Sequence, residues 1–251
     1  MAREILMVII VVVVLVLHQS CSAEDDSHIC PASSCGNIHN ISYPFRLEGD
    51  PKHCGDPRYT LSCENGQTVL NLYDGKYYVR EINYNNYTIR VADPGIDQKD
   101  NYSFIPRYLL NKKNFSSGSP FEVFLPLTMV MLVNCEKPVN SPRYLNISTC
   151  SENGEYSSHS SLSHSKRYTY LVPRAHVGEL EDLCQIEQTF VTSWPYKYLY
   201  DLRKISCTDL HNELLRGFEL YWYLVYCGSC SYDNCHANEP NHVVCDPNIG
   251  A

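Results

Sequence analysis

The sequence lacks an excess of basic residues, since 20 lysines and arginines face 28 aspartates and glutamates and the formal net charge is −8. Neither half of the chain is basic, which excludes the electrostatic footprint of a nucleic-acid-binding protein. The chain also lacks an apolar run of membrane-spanning length. The longest run, Ile5 to Leu17, would span about 20 Å as a helix, against the roughly 30 Å of a bilayer core.

That short apolar run is typical of a secretory signal. It follows the charged Arg3 and precedes Cys21-Ser22-Ala23, which places small residues at the −3 and −1 positions of a cleavage site. We therefore predict a signal peptide at residues 1–23 and an extracellular mature chain. Five N-x-[ST] triplets agree with that compartment and predict glycosylation at Asn40, Asn86, Asn101, Asn114 and Asn146.

Cysteine usage also indicates an oxidising compartment. Removal of the signal peptide takes Cys21 away and leaves an even number of the 13 cysteines. The Cys227-x2-Cys230 spacing beside His236 and His242 would suit zinc, but thiols in the secretory pathway oxidise. We therefore predict no metal and a disulfide framework of Cys30, Cys35, Cys54, Cys63, Cys135, Cys150, Cys184, Cys207, Cys227, Cys230, Cys235 and Cys245.

The pattern of the chain predicts a mainly β, disulfide-rich protein with some helix, an α+β arrangement of two modules. Period-two runs separated by Asp74-Gly75 and by Asn85-Asn86 predict a three-stranded meander over residues 67–92. The stretch from Asp201 to Gly217 predicts one helix that ends at the glycine. Residues 151–167 are Ser-rich and predict an exposed loop.

Signals for catalysis are weak. No G-x-S-x-G elbow occurs, and the hydroxyls and imidazoles of residues 157–164 lie in a low-complexity stretch that cannot fix a nucleophile beside its base. Dispersed carboxylates leave a secreted glycan hydrolase as an alternative, but Asp93, Asp97 and Asp100 are read as turn residues. The 20 tyrosines, many beside lysine or arginine, favour binding of sugar acids.

An ordered series of motifs runs through the first half: Cys30-x4-Cys35-Gly36, Ile41-Ser42-Tyr43-Pro44-Phe45, Cys54-Gly55, Tyr59-x-Leu61-x-Cys63 and Tyr77-Tyr78-Val79. This series resembles the galacturonan-binding domain of plant wall-associated receptor kinases, in the branch of the leaf-rust-resistance-type receptor-like kinases. The tail, with Gly217-Phe218-x3-Trp222 before Cys227-x2-Cys230-x4-Cys235, resembles the wall-associated-kinase C-terminal module. The resulting modules are 24–136 and 168–251, joined by 137–167.

The resemblance implies a disulfide-bonded ectodomain, secreted or at the cell surface and linked to plant defence, that contacts pectin or galacturonan. It implies no catalytic residues and no cofactor. The kinase of such receptors is a separate domain, and no Gly-rich loop, V-A-I-K or H-R-D segment occurs here. A receptor or peptide partner with incidental sugar contact is the main alternative. The candidate ligand contacts are Tyr43, Arg46, Lys76, Tyr78, Arg80 and Arg90, of which Arg80 and Arg90 are expected on one sheet face.

The chain departs from the family where relatives carry an Asn-Cys-Ser run, because it has Asn101-Tyr102-Ser103. The N-terminal module then has an odd number of cysteines, so one of them pairs outside it. We expect Cys135 to pair with Cys150 across a short connection, and Cys54 with Cys63 across a turn.

Overall fold

A computed structural model describes most of the chain after the predicted signal peptide. The described residues are 29–96, 103–115, 118–123, 127–150, 168–194, 201–228, 230, 234–240 and 242–245. The predicted signal peptide, Asp97, Asp100, Asn101 and the Ser-rich stretch 151–167 lie outside these residues. The prediction of a mainly β, disulfide-rich fold is confirmed.

The first half of the chain forms most of a six-stranded sheet and a small hairpin. The hairpin strands are β1 (Ser33–Cys35) and β2 (Ile38–Ile41), and the sheet strands are β3 (Arg46–Leu47), β4 (Thr60–Glu64), β5 (Gln67–Leu72), β6 (Gly75–Asn83), β7 (Thr88–Ala92) and β12 (Phe218–Tyr221). The order is β12-β7-β6-β5-β4-β3, and only the β3–β4 pair is parallel. The predicted meander is confirmed as β5, β6 and β7.

The six-stranded sheet has an inner face and an outer face, because side chains alternate along each strand. On β6, Tyr77 and Val79 are buried and define the inner face. The inner face packs against large aromatic side chains from four distant segments, which are Phe45, Tyr59, Phe121 and Trp222. Each such burial stabilises the fold by roughly 1.5–3 kcal/mol, so this core joins residues 45 and 222 in one unit.

A four-stranded sheet follows in the chain. Its strands are β8 (Leu127–Cys135), β9 (Leu145–Asn146), β10 (Tyr168–Pro173) and β11 (Cys184–Ser193), in the order β11-β8-β10-β9 with antiparallel pairing. The chain then returns to the first sheet, where β12 pairs with β7. Residues 24–136 and residues 168–251 therefore each contribute strands to both sheets.

One α-helix, α1 (Cys207–Arg216), covers one side of the second core. Leu210 and Leu214 are buried there beside Leu132, Leu171 and Phe190 of the four-stranded sheet. This core and the inner-face core are separate clusters of apolar side chains.

The predicted helix is shorter at its start than the sequence indicated. Asp201 caps a separate 3₁₀ turn, Leu202–Lys204, by accepting the backbone N–H of Arg203, and Ser206 caps α1 by accepting that of Asp209. Gly217 ends α1 as predicted, with φ of 72°. A Cβ on Gly217 would stand 2.0 Å from the Val91 carbonyl oxygen, so only glycine fits there.

Six disulfides join the twelve predicted cysteines, but both expected pairings are wrong. The bonds are Cys30–Cys54, Cys35–Cys63, Cys135–Cys184, Cys150–Cys207, Cys227–Cys235 and Cys230–Cys245. Cys135 pairs with Cys184 because the two residues stand opposite each other on β8 and β11. Cys63 pairs with Cys35 because the β1–β2 hairpin lies on β5, where the Thr68 hydroxyl donates to the Cys35 carbonyl at 2.8 Å.

The chain closes with a small hairpin of β13 (Cys235–Glu239) and β14 (His242–Cys245), which two of the disulfides anchor. No helix in the described part of the chain combines the length and apolar character needed to cross a membrane.

Candidate ligand-binding surface

Three of the predicted contact residues share the outer face of β6. Lys76, Tyr78 and Arg80 alternate with the buried Gly75, Tyr77 and Val79. Their side chains therefore form a line along one strand, away from the aromatic core. We call Lys76, Tyr78, Arg80 and the neighbouring Arg90 of β7 the outer-face strip.

Arg80 is the unusual member of the strip. It lies at a bulge, where Arg80 and Glu81 together stand opposite Arg90, so Arg80 and Arg90 do share the outer face. The Arg80 guanidinium carbon lies 6.0 Å from the centre of the Tyr78 ring. Its Nε atom is buried without a hydrogen-bond partner, and burial lowers the pKa of this side chain from its ordinary value. Within the described residues, Arg80 has no ion pair.

The other two cations of the strip are already paired. Lys76 Nζ lies 2.8 Å from Glu64 Oε1, and the hydrogen bond from Lys76 lowers the pKa of that carboxyl. Arg90 forms a short ion pair with Glu219 of β12, the residue directly opposite it in the sheet. Of the three cations of the strip, Arg80 alone has no ion-pair partner among the described residues.

Arg46 and Tyr43 lie away from the strip. Arg46 is on β3 at the far edge of the sheet, and its Nη1 donates to the carbonyls of Leu47 and Asp50 at 3.3 and 3.2 Å. Tyr43 is 50% exposed and precedes Phe45, which packs on the inner-face side of the sheet. The structure therefore does not bring the six predicted contacts together at one site.

Tyr43 instead belongs to an aromatic shelf that sequence reasoning missed. Its ring centre lies 6.3 Å from that of Tyr226, which is 47% exposed. Tyr84 adds a third, half-buried ring that packs on Trp222 at 5.6 Å. We call Tyr43, Tyr84 and Tyr226 the aromatic shelf. The tyrosine-rich run at 221–226 was the available signal, but only the fold shows that it meets residue 43.

Arg58 is a second cation beside a tyrosine, with its guanidinium carbon 5.6 Å from the centre of the Tyr59 ring. Unlike Arg80, Arg58 is exposed. Its Nε and Nη2 atoms donate hydrogen bonds to both carboxylate oxygens of Asp56, with lengths of 2.7 to 3.3 Å. The hydrogen bond from Arg58 lowers the pKa of Asp56, and the bond from Asp56 raises the pKa of Arg58. Arg58 therefore lies beside a tyrosine ring as Arg80 does, but its positive charge is paired with a carboxylate.

The four predicted glycosylation sites that the structure describes lie off the strands of the outer face. Asn40 is exposed on β2, and Asn86 is exposed in the β6–β7 turn. Asn114 and Asn146 are half-buried, with side-chain oxygens that accept the backbone N–H of Asn111 and Ser148. None of these asparagines stands on β4 to β7 or on β12, so glycans at these positions would leave the outer-face strip uncovered.

The carboxylate at Asp93 has a structural use. It is buried and accepts the backbone N–H groups of Gly95, Arg107 and Tyr108 at 2.6 to 2.9 Å. Burial raises its pKa, although these bonds act in the opposite direction. Such a carboxylate holds two loops together, which agrees with the turn role read from the sequence.

Among the described residues, one group of side chains with metal-ligating atoms lies close together, and it consists of Cys30, His53 and Cys54. Its two sulfurs are joined to each other in a disulfide. A disulfide offers no thiolate, so the cluster does not fit a metal ion.

The strands that carry this surface are similar to a known protein family. Residues 30–93, which contain β1 to β7, match the family described as wall-associated receptor kinase galacturonan-binding. The predicted resemblance is confirmed. All six candidate contacts and the whole outer-face strip lie within the matched residues.

The relatives are receptor-like kinases of Arabidopsis thaliana. The chain is 26% identical over 222 residues to leaf rust 10 disease-resistance locus receptor-like protein kinase-like 1.4, covering 85% of the chain and 29% of the relative. It is 26% identical over 204 residues to the protein named kinase-like 2.8 in the same series, covering 78% of the chain and 20% of the relative. The chain thus spans less than a third of the length of these relatives.

A third relative, named kinase-like 2.5, is 34% identical over 80 residues, which are 31% of the chain and 12% of that protein. No solved structure matches the chain. The family match and the receptor-like kinase relatives together support an extracellular or cell-surface ectodomain of the receptor-kinase type.

Proposed function

We propose that this chain binds acidic wall polysaccharide, galacturonan or pectin, on the outer face of its six-stranded sheet and performs no catalysis itself. The family match supports this ligand class, since the family is described as galacturonan-binding and the matched residues include β6. One observation carries the choice of site. The half-buried guanidinium of Arg80 lies beside the Tyr78 ring without a counter-ion among the described residues.

The electrostatic state of Arg80 favours an anionic ligand. A cation that has lost part of its hydration and has no counter-ion is held at a free-energy cost. A carboxylate ligand removes that cost, because the guanidinium presents several donors that match its two oxygens. A polymer of galacturonic acid carries one carboxylate on every unit, so Arg80 offers a natural anchor for one unit.

The linear arrangement of the strip also suits a polysaccharide chain. Tyr78 supplies a flat ring next to the Arg80 guanidinium, and the face of an aromatic ring attracts the polarised C–H groups of a sugar. Lys76 stands on the same line, about 13 Å from Arg80 at the usual rise of a strand. A linear polyanion lying along β6 would therefore meet a cation, a flat ring and a second cation in sequence.

The strip is also accessible to a large ligand. The four sequon asparagines that the structure describes lie away from these strands, so glycans at these four positions would leave the strip open. The strip also has three carboxylates nearby, Glu64, Glu81 and Glu219, so it has no large net positive charge. We therefore expect modest affinity that relies on repeated contacts rather than on long-range attraction.

The test is a titration of the glycosylated chain with oligogalacturonides of defined length, by calorimetry at low salt. A matched series with the carboxylates converted to methyl esters is the control ligand. We expect binding of the acid series that weakens with added salt and little binding of the ester series. Absence of binding to both series would refute the proposal.

A pull-down from wall extract separates this function from a protein-binding role. Loss of every captured component after pectinase treatment is expected if the ligand is pectin. Capture of a protein that persists after the treatment, with no binding of purified oligogalacturonide, would instead favour a receptor or peptide partner.

A further inference from the structure

The aromatic shelf is an exposed apolar surface that the proposed function does not use. Tyr43 and Tyr226 are each about half exposed, and their rings stand on the opposite side of the sheet from the outer-face strip. Large apolar side chains that are exposed together usually mark a contact surface. The question is what covers these rings.

One sequon lies inside the same cluster of rings. Asn86 is exposed in the turn between β6 and β7, with Tyr84 two residues before it and Tyr87 directly after it. Tyr87 packs against Tyr226, with ring centres 5.6 Å apart. Along the chain, Asn86 therefore lies between Tyr84, a ring of the shelf, and Tyr87, a ring that packs on another member of it.

The turn that carries Asn86 is well fixed. Asn83 and Thr88 pair across the strands, and the Asn83 side chain accepts the backbone N–H of Asn86 at 3.0 Å. The Tyr84 hydroxyl accepts the Ser42 N–H at 2.8 Å and donates to the Ser42 carbonyl at 3.1 Å. The two Ser42 bonds fix the Tyr84 ring against the segment that carries Tyr43, so a sugar on Asn86 would meet a surface that is already ordered.

We propose that Asn86 carries an N-linked glycan whose first N-acetylglucosamine packs on the aromatic shelf. That sugar has one face of C–H groups, which suits the negative face of a tyrosine ring. Because Tyr226 belongs to the C-terminal part of the chain and Asn86 to the N-terminal part, this contact would join the two. Asn40, three residues before Tyr43 and also exposed, is the alternative source of the same sugar.

The experiment uses the full secreted chain with high-mannose glycans, and compares melting temperatures. Mass spectrometry of the peptides first establishes that Asn86 is occupied. Endoglycosidase trimming to a single N-acetylglucosamine is expected to leave the melting temperature unchanged, whereas Asn86→Gln is expected to lower it by about 2–4 °C. Ser116→Ala is the matched control, because it removes the Asn114 sequon and keeps the Asn114 side chain that accepts the Asn111 N–H, and no comparable loss is expected from it.

A double-mutant cycle tests the contact itself. Tyr226→Ala lowers the melting temperature by removing packing, and in that background Asn86→Gln is expected to cause little further loss. Full additivity, an unoccupied Asn86, or a loss that trimming already produces would each overturn the proposal. Coupling of Tyr226→Ala to Asn40→Gln instead of Asn86→Gln would overturn the assignment to Asn86 and place the sugar of Asn40 on the shelf.

Discussion

The two faces of the six-stranded sheet differ in almost every chemical respect. The inner face is uncharged and packs on Phe45, Tyr59, Phe121 and Trp222, which come from four distant segments. The outer face carries Lys76, Arg80 and Arg90 with a flat tyrosine between the first two. On β6 the two kinds of side chain alternate, with Tyr77 and Val79 buried on the inner face and Lys76, Tyr78 and Arg80 on the outer face.

This difference teaches that stability and recognition are largely separate in this molecule. Inner-face side chains are buried and their loss leaves cavities, whereas the cations of the outer-face strip are at least partly exposed and their loss changes charge. Changes on the inner face should therefore act on the free energy of unfolding, and changes on the outer face should act on ligand affinity.

The largest effect is expected at Trp222. It is 1% exposed and packs edge-on against Phe45 and Tyr87 with ring centres 5.2–5.4 Å apart. Trp222→Ala should lower the free energy of unfolding by about 3–5 kcal/mol, because a large cavity remains. Urea denaturation measures this. Tyr226→Ala, at a half-exposed ring, should cost clearly less, and equal losses for the two variants would contradict the separation of core and shelf.

Arg80→Met should produce the opposite outcome. It removes a half-buried cation that has no counter-ion and retains a long apolar side chain, so the free energy of unfolding should stay the same or rise by up to about 1 kcal/mol. Affinity for oligogalacturonide should fall roughly tenfold or more, because a charge-assisted hydrogen bond is lost. Denaturation and calorimetry on the same preparation measure both. A variant that binds normally would show that Arg80 is not the anchor.

Lys76→Gln should have a smaller effect on binding. Lys76 is exposed and already paired with Glu64, so its removal weakens a screened interaction by roughly twofold to threefold. The effect should disappear at high salt, which calorimetry at two salt concentrations would reveal. A loss as large as that of Arg80→Met would mean that the two cations act equally.

The smallest effect concerns pH and the Asp56–Arg58 pair. The Arg58 hydrogen bond lowers the pKa of Asp56 below its ordinary 3.8, so the folded state holds this proton less tightly than the unfolded state. The stability from the pair is present above pH 3.8 and is lost as pH falls through the lowered pKa. The difference in unfolding free energy between the natural chain and Asp56→Asn should therefore shrink under acid, as denaturation at several pH values would show. If the difference in unfolding free energy grew as the pH fell, the pKa of Asp56 would be raised in the folded state, and the prediction would be wrong.

Local signals predicted much of the fold. The Asn-rich turn at 85–86 and the alternation of 67–83 define the meander, and Gly217 marks the end of α1 because its backbone needs a positive φ beside Val91. Pairings across long stretches of sequence were not predictable. Nothing in residues 218–221 indicates that they would add to β7, and Cys135 finds Cys184 only through the register of two strands.

Part of the candidate surface was likewise predictable from local sequence, and part depends on contacts between distant residues. The alternation of Lys76, Tyr78 and Arg80 follows from the strand pattern, so their common face could be expected. The pairing of Arg90 with Glu219 spans 129 residues, and the meeting of Tyr43 with Tyr226 spans still more. Which cation remains unpaired therefore depends on the tertiary structure, and it is this property that selects Arg80.

The most direct test of the central claim compares Arg80→Gln with Arg58→Gln in calorimetric titrations with the same oligogalacturonide. Both variants remove one positive charge from an arginine beside a tyrosine ring, but only Arg58 has a carboxylate partner. We predict that Arg80→Gln reduces affinity for the acid ligand roughly tenfold or more, whereas Arg58→Gln leaves it nearly unchanged. Equal losses in both variants, or no loss at Arg80, would contradict the account.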